Sequence, residues 1–164
     1  MFSKILIANR GEIAVRVIRA CKEMGIATVA VYSQADADAL HVALADESVC
    51  IGRAEAADSY LNAGRIVSAA LACGAQAIHP GYGFLSENLA FAELCQHHGL
   101  VFIGPSVETM RAAADKEKLK RRMAEIGLPV IPGSQIAATA ETARTAAEAL
   151  GYPVMLKARS GGGG

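Results

Sequence analysis

The feature that most constrains this chain is a recurrence of short, mostly apolar runs separated by segments with helical spacing. The runs are Lys4-Ile5-Leu6-Ile7-Ala8, Ala27-Thr28-Val29-Ala30-Val31-Tyr32, Ser48-Val49-Cys50-Ile51, Ala75-Gln76-Ala77-Ile78 and Val101-Phe102-Ile103. A strand with one wet face alternates polar and apolar residues. The first run, Lys4-Ile5-Leu6-Ile7-Ala8, does not, so it fits a strand covered on both faces. Between the first two, Asn9-Arg10-Gly11-Glu12 turns into a helix that runs to Met24 and is closed by Gly25. Ile13, Val17, Ala20 and Met24 share one stripe of it, and Ala14, Ile18 and Cys21 share the neighbouring one. Glu12, Arg16, Arg19 and Glu23 form a charged face, with two i,i+4 pairs worth about 0.2–0.5 kcal/mol each. Further helices are expected around His41 to Ala45, from Leu61 to Cys73 before Gly74, and from Glu87 to His98 with Ser86 as its cap. The second of these turns Ile66, Ala69, Ala70 and Cys73 inward. Strand–helix alternation at this spacing predicts an α/β fold with a Rossmann-like parallel sheet. The first strand–helix turn lacks the G-x-G-x-x-G pyrophosphate fingerprint, which demotes a nicotinamide dehydrogenase.

After Gly104-Pro105 the texture changes. Ser106 can cap a short helix to about Ala114, and Asp115 a second, basic one carrying Lys116, Lys118, Lys120, Arg121 and Arg122. A charge run of this kind is chiefly a solvated face, but Lys116 lies in the first turn, placed to point back toward a sheet edge. Pro129 and Pro132 mark a boundary, and Thr139 to Leu150 is an alanine-rich helix. The division expected is a domain at 1–113 and the beginning of a second at 114–164. Near the second one's end Val154-Met155-Leu156 reads as a buried strand, Lys157 as its exit, and Gly161 to Gly164 as a glycine tract. Glycines let backbone N–H groups close over a phosphate, and a lysine at a strand end suits a nucleotide triphosphate. The lysine precedes the glycines, so this is not a G-x-x-x-x-G-K-[ST] loop. The other reading of the tract is a linker.

With 52% hydrophobic residues, a full core is expected and disorder is not. The formal net charge of zero offers no electrostatic case for nucleic acid or an anionic membrane. No apolar run is long enough to span a bilayer, and the N-terminus has no signal character. Cys21, Cys50, Cys73 and Cys95 are scattered, without a C-x-x-C pair, and read as buried thiols of a reducing, cytoplasmic setting.

Three stretches, met in this order, go further: Ile7-Ala8-Asn9-Arg10-Gly11-Glu12-Ile13-Ala14, then Ile78-His79-Pro80-Gly81-Tyr82-Gly83-Phe84-Leu85-Ser86-Glu87-Asn88, then Lys157-Ala158 with the glycine tract. Together with Phe102-Ile103-Gly104-Pro105 they closely resemble biotin carboxylase, the ATP-dependent subunit or domain of biotin-dependent carboxylases such as acetyl-CoA carboxylase of fatty acid biosynthesis. The resemblance covers essentially the whole chain. It is most specific in the first 110 residues and looser from Met110 to Gly151, and Arg159-Ser160 departs from the small residues usual before the glycines.

The resemblance implies an N-terminal α/β domain followed by an ATP-grasp unit with a mobile lid. It implies a ligase that uses ATP, Mg2+ and bicarbonate, by way of carboxyphosphate, to carboxylate biotin on a carrier protein. By similarity Lys116 and Lys157 contact ATP, with Gly163 and Gly164 over the phosphates, and Tyr82 and Gly83 edge the biotin site. His79 and Glu87 beside that loop are read as structural. Implied partners are a biotin carboxyl carrier protein, a carboxyltransferase, and a second copy of the chain through the helix face bearing Arg16, Arg19 and Glu23. The metal, bicarbonate and general-base residues of the family fall after Gly164, so the chain alone is expected to be inactive. A non-catalytic α/β module that dimerises or binds partners is the alternative.

Overall fold

A computed structural model describes residues 1–114, 116–134 and 137–157, the side chains of residues 116 and 117 excepted. They form two compact units, Met1–Val107 and Glu108–Gly164.

In the first unit five parallel strands make one sheet: β1 (Lys4–Ile7), β2 (Ala27–Ser33), β3 (Glu47–Gly52), β4 (Ala77–His79) and β5 (Val101–Phe102), in the order β3-β2-β1-β4-β5. The register sets Ile5 beside Thr28 on one side and beside Ala77 on the other. Because successive side chains of a strand point to opposite faces, β1 feeds two cores. Ile5 and Ile7 pack with Ala14, Val17, Ile18 and Cys21 of helix α1 (Gly11–Glu23). Leu6 packs on the other face with Ile66, Val67 and Ala70 of α3 (Ala63–Ala72) and with Phe91 and Cys95 of α4 (Leu89–His97). Full burial of a side chain of this size is worth about 1.5–3 kcal/mol relative to leaving it exposed. That explains the near-continuous apolar texture of the central strands. A short helix, α2 (Leu40–Leu44), lies between β2 and β3.

Several expectations shift. On α1 the buried stripe is Ala14, Val17, Ile18 and Cys21, whereas Ala20 and Met24 are exposed. The helix expected from Glu87 with Ser86 as cap begins at Leu89, because Asn88 accepts the Phe91 N–H at 2.9 Å and so satisfies a first-turn donor. Residues 84–87 form turns instead. The fourth strand starts at Ala77 rather than Ala75, because the Ala75 N–H bonds back to the Ala70 carbonyl and closes α3. Of the four thiols, Cys21 and Cys95 are buried, Cys73 is half-buried and Cys50 is exposed on edge strand β3. All four are free.

In the second unit α5 (Val107–Ala114), α6 (Lys116–Glu125) and α7 (Ala140–Leu150) are present. Thr139 caps α7 in a reciprocal capping box with Thr142. The buried strand expected at Val154-Met155-Leu156 is absent: these residues form no strand, and Met155 and Leu156 are 79% and 82% exposed. A strand needs a neighbour for its backbone groups, and none pairs with this segment among the described residues. Asp115, the expected cap of α6, lies outside the described residues.

Candidate functional site

In an open parallel sheet, ligands bind beyond the carboxyl ends of the strands where the strand order reverses. Here that reversal lies between β1 and β4, so the exits of these two strands, residues 8–11 and 80–84, face the same crevice. Asn9 joins them. Its carboxamide, 3% exposed, donates to the carbonyls of Pro80 and Tyr82 at 2.8 Å each and accepts the Arg10 N–H at 2.9 Å. Gly81, at φ +65, passes so near that a Cβ would stand 2.8 Å from the Asn9 nitrogen. Both facts require glycine there. His79 accepts the Gly81 N–H at its Nδ1, 3.0 Å away, and burial pulls its imidazole below the ordinary value. His79 thereby fixes the turn that enters the loop.

This arrangement presents Tyr82 outward. It is 61% exposed, and its hydroxyl donates to the Glu12 carboxylate in the first turn of α1. That bond is the leading influence holding the Tyr82 phenol above its usual range. Glu12, expected to serve Arg16, is thus tied to the loop. Gly83 is exposed at φ +70, and its carbonyl accepts the Ser86 N–H at 2.9 Å. The loop therefore offers a tyrosine ring with accessible backbone on one side, suited to stacking and hydrogen bonding with a flat, polar heterocycle.

Behind the loop lies a polar cluster that sequence reasoning did not find. Asp36 accepts from Ser33 Oγ at 2.6 Å, from the Tyr60 hydroxyl at 2.7 Å and from the Arg10 guanidinium at 3.3 Å. Burial pulls its pKa upward, but these bonds outweigh it and hold the carboxyl below the usual range. Tyr60 is pushed up to about 12, first by burial and then by its bond to Asp36. The Arg10 guanidinium lies 5.3 Å from the Tyr60 ring centroid and 5.7 Å from that of Phe84, and the two rings stack at 5.0 Å. Phe84 has φ +38, a left-handed conformation that costs a residue with a Cβ roughly 1–2 kcal/mol. Asn9 and Arg10 stood in the motif the sequence offered. Asp36 and Tyr60 carried no local signal, because only the fold brings them to β1.

Between α1 and α2 runs a groove of about 700 Å³ lined by Glu12, Arg16, Arg19, Glu23, Leu40 and His41. His41 is buried, its Nε2 lies 3.3 Å from the Val31 carbonyl, and its Nδ1 has no partner. Burial is the first cause holding its imidazole below the ordinary value. Arg16, Arg19 and Glu23, expected on one face, do share this groove.

Of the expected nucleotide residues, Lys157 is exposed in the second unit. Lys116 opens α6, but its side chain lies outside the described residues, as do Gly163 and Gly164. Among the described residues no group of three or more His, Cys, Asp or Glu side chains is placed to hold a metal ion, and no helix is long and apolar enough to cross a membrane.

Two family descriptions divide the chain: "Biotin carboxylase, N-terminal domain" matches residues 1–110, and "Carbamoyl-phosphate synthase L chain, ATP binding domain" matches residues 115–164. A biotin carboxylase of Nostoc is 57% identical over 99% of this chain, which spans 37% of that protein. The crystal structure of a biotin carboxylase from Campylobacter jejuni, described as a β-γ-ATP complex, superposes with a TM-score of 0.94 at 55% identity, over 99% of this chain and 37% of that one. The biotin carboxylase domain dimer of the Hydrogenobacter thermophilus 2-oxoglutarate carboxylase, in complex with MgADP, ADP and bicarbonate, gives 0.93 at 54% identity, over 99% of this chain and 36% of that one. The chain thus spans a little over a third of the length of each of these three relatives.

Proposed function

The chain belongs to the biotin carboxylase family, and on that premise we propose that it forms the biotin-facing scaffold and the first part of the nucleotide unit of an ATP-dependent biotin carboxylase. The observation that carries this reading is the crevice at the β1/β4 reversal, where Asn9 and Gly81 shape a loop that displays Tyr82 and Gly83. Tyr82 offers its ring face to the fused rings of biotin, and the Gly83 backbone lets them come close. Lys116, Lys157, Gly163 and Gly164 are proposed to hold ATP, two ammonium groups facing phosphate and the glycines closing over it. The division at 113/114 belongs to the same reading, as do a cytoplasmic setting, a carrier protein and a carboxyltransferase as partners, and a second copy docking at Arg16, Arg19 and Glu23. ATP with Mg2+ supplies the activation of bicarbonate when bound; this chain's described residues supply binding and orientation.

The test is bicarbonate-dependent ATP cleavage by the purified 164-residue chain, alongside ligand-induced shifts in its amide spectrum. We expect no turnover above buffer, with or without biotin. ATP should shift signals at and around Lys157, and biotin those at Tyr82 and Gly83. ATP that moves no signal beyond residue 107 would overturn the nucleotide assignment.

A further inference from the structure

Asn9 holds the first half of the 80–84 loop through two carbonyls, but nothing in that grip reaches Phe84, which ends the loop in a left-handed conformation. The next residue of β1's exit does. The Arg10 guanidinium stands against the ring of Phe84 and the ring of Tyr60 stacked beside it, and its other edge meets Asp36. Asp36 is itself held by Ser33 and Tyr60, whose hydroxyl also accepts the Ser33 N–H at 3.0 Å. The cation is therefore anchored at the end of β2 while it presses on the far end of the loop. Two consecutive residues grip two ends.

We propose that Arg10 is a positioning residue: braced by Asp36, it holds Phe84 in its left-handed conformation and so sets Gly81-Tyr82-Gly83 in the geometry that receives the ligand. The inference rests on the reading of this loop as the edge of a ligand site, but its mechanical part stands apart from it. A planar cation is needed. An ammonium in its place keeps the charge near Asp36 yet cannot lie along two rings. Without the brace Phe84 relaxes to negative φ, the backbone turns at Gly83, and the Tyr82 hydroxyl leaves Glu12.

Tyr82 itself reports the outcome. In the chain labelled with 13C at the tyrosine ring carbon bearing oxygen, the four tyrosines give separate probes, and Tyr82→Phe assigns the signal. In Arg10→Met, Arg10→Lys and Phe84→Leu the Tyr82 phenol is expected to fall back toward the ordinary tyrosine value. The double variant Arg10→Met/Phe84→Leu should fall no further than either single one, since both break the same contact. A folded Arg10→Met or Phe84→Leu whose Tyr82 titrates as in the parent chain overturns the proposal. If Arg10→Met does not fold, Phe84→Leu decides, because it leaves the Arg10–Asp36 pair in place. Biotin added to the same samples separates the two readings. A Tyr82 signal that moves with biotin in the parent chain but not in Arg10→Met supports both. A parent chain that ignores biotin while the variants still alter the Tyr82 titration removes biotin from the loop and leaves the brace standing.

Discussion

Removing the Asn9 carboxamide would leave the Pro80 and Tyr82 carbonyls without the donor they share, in a place where the side chain is only 3% exposed. An abandoned buried polar group costs about 1–3 kcal/mol. Asn9→Ala is therefore expected to lower the unfolding free energy by about that much, seen as a lower urea midpoint with an unchanged denaturant slope. A second residue-scale effect follows pH. His41 is buried, hydrogen-bonded only at Nε2, and held below its ordinary 6.5 by burial first; the Val31 carbonyl and Asp36 pull it back up, and Arg10 pushes it further down. As pH falls through 6.5, the unfolded chain takes up a proton that the folded one refuses, so stability falls. His79, also held down by burial, adds to the same slope. His41→Gln should flatten the loss of stability between about pH 7 and pH 5, seen in urea titrations; an unaltered slope would assign the effect elsewhere.

At the scale of elements, α1 is the piece with two duties. Its inner stripe of Ala14, Val17, Ile18 and Cys21 seals one core, and its outer face carries Glu12 at the loop and Arg16, Arg19 and Glu23 along the groove. Arg19 is exposed, so reversing its charge leaves the core alone. Where the parent chain sediments as the dimer proposed above, Arg19→Glu is expected to shift it toward monomer, with the thermal midpoint of the monomer little changed. The same profile for both chains would remove this face as the contact. The helix was legible from its spacing, yet which of its stripes is buried was not. Ala20 and Met24 are as apolar as their neighbours, and only the direction from which β1 meets the helix chooses between them.

Across the whole molecule burial is uneven. Among the described residues every buried apolar side chain lies between Ile5 and Leu100, whereas Ile131, Tyr152, Met155 and Leu156 of the second unit are exposed. Cleavage by a protease needs local opening of backbone, and segments with few buried contacts open at least cost. Brief trypsin treatment should therefore cut first within residues 111–157 and leave a resistant product close to residues 1–110, read by intact mass. Early cuts at Arg10 or Arg65 would contradict this distribution.

Residue order alone determined the strand–helix alternation of the first unit, because the near-continuous apolar texture of β1 and β2 fits strands covered on both faces. It also determined the family, through Asn9-Arg10-Gly11-Glu12 and His79-Pro80-Gly81-Tyr82-Gly83, motifs local enough to read in one dimension. The tertiary structure decided what those motifs touch. Strand order β3-β2-β1-β4-β5 makes residues 70 or 71 positions apart neighbours at one sheet edge, so Asn9 meets Pro80 and Glu12 meets Tyr82. It also brings Asp36 and Tyr60, which no motif singles out, to Arg10. The apolar run at Val154-Met155-Leu156 shows the converse limit: a strand is a property of a pair, and the run's composition does not supply its partner.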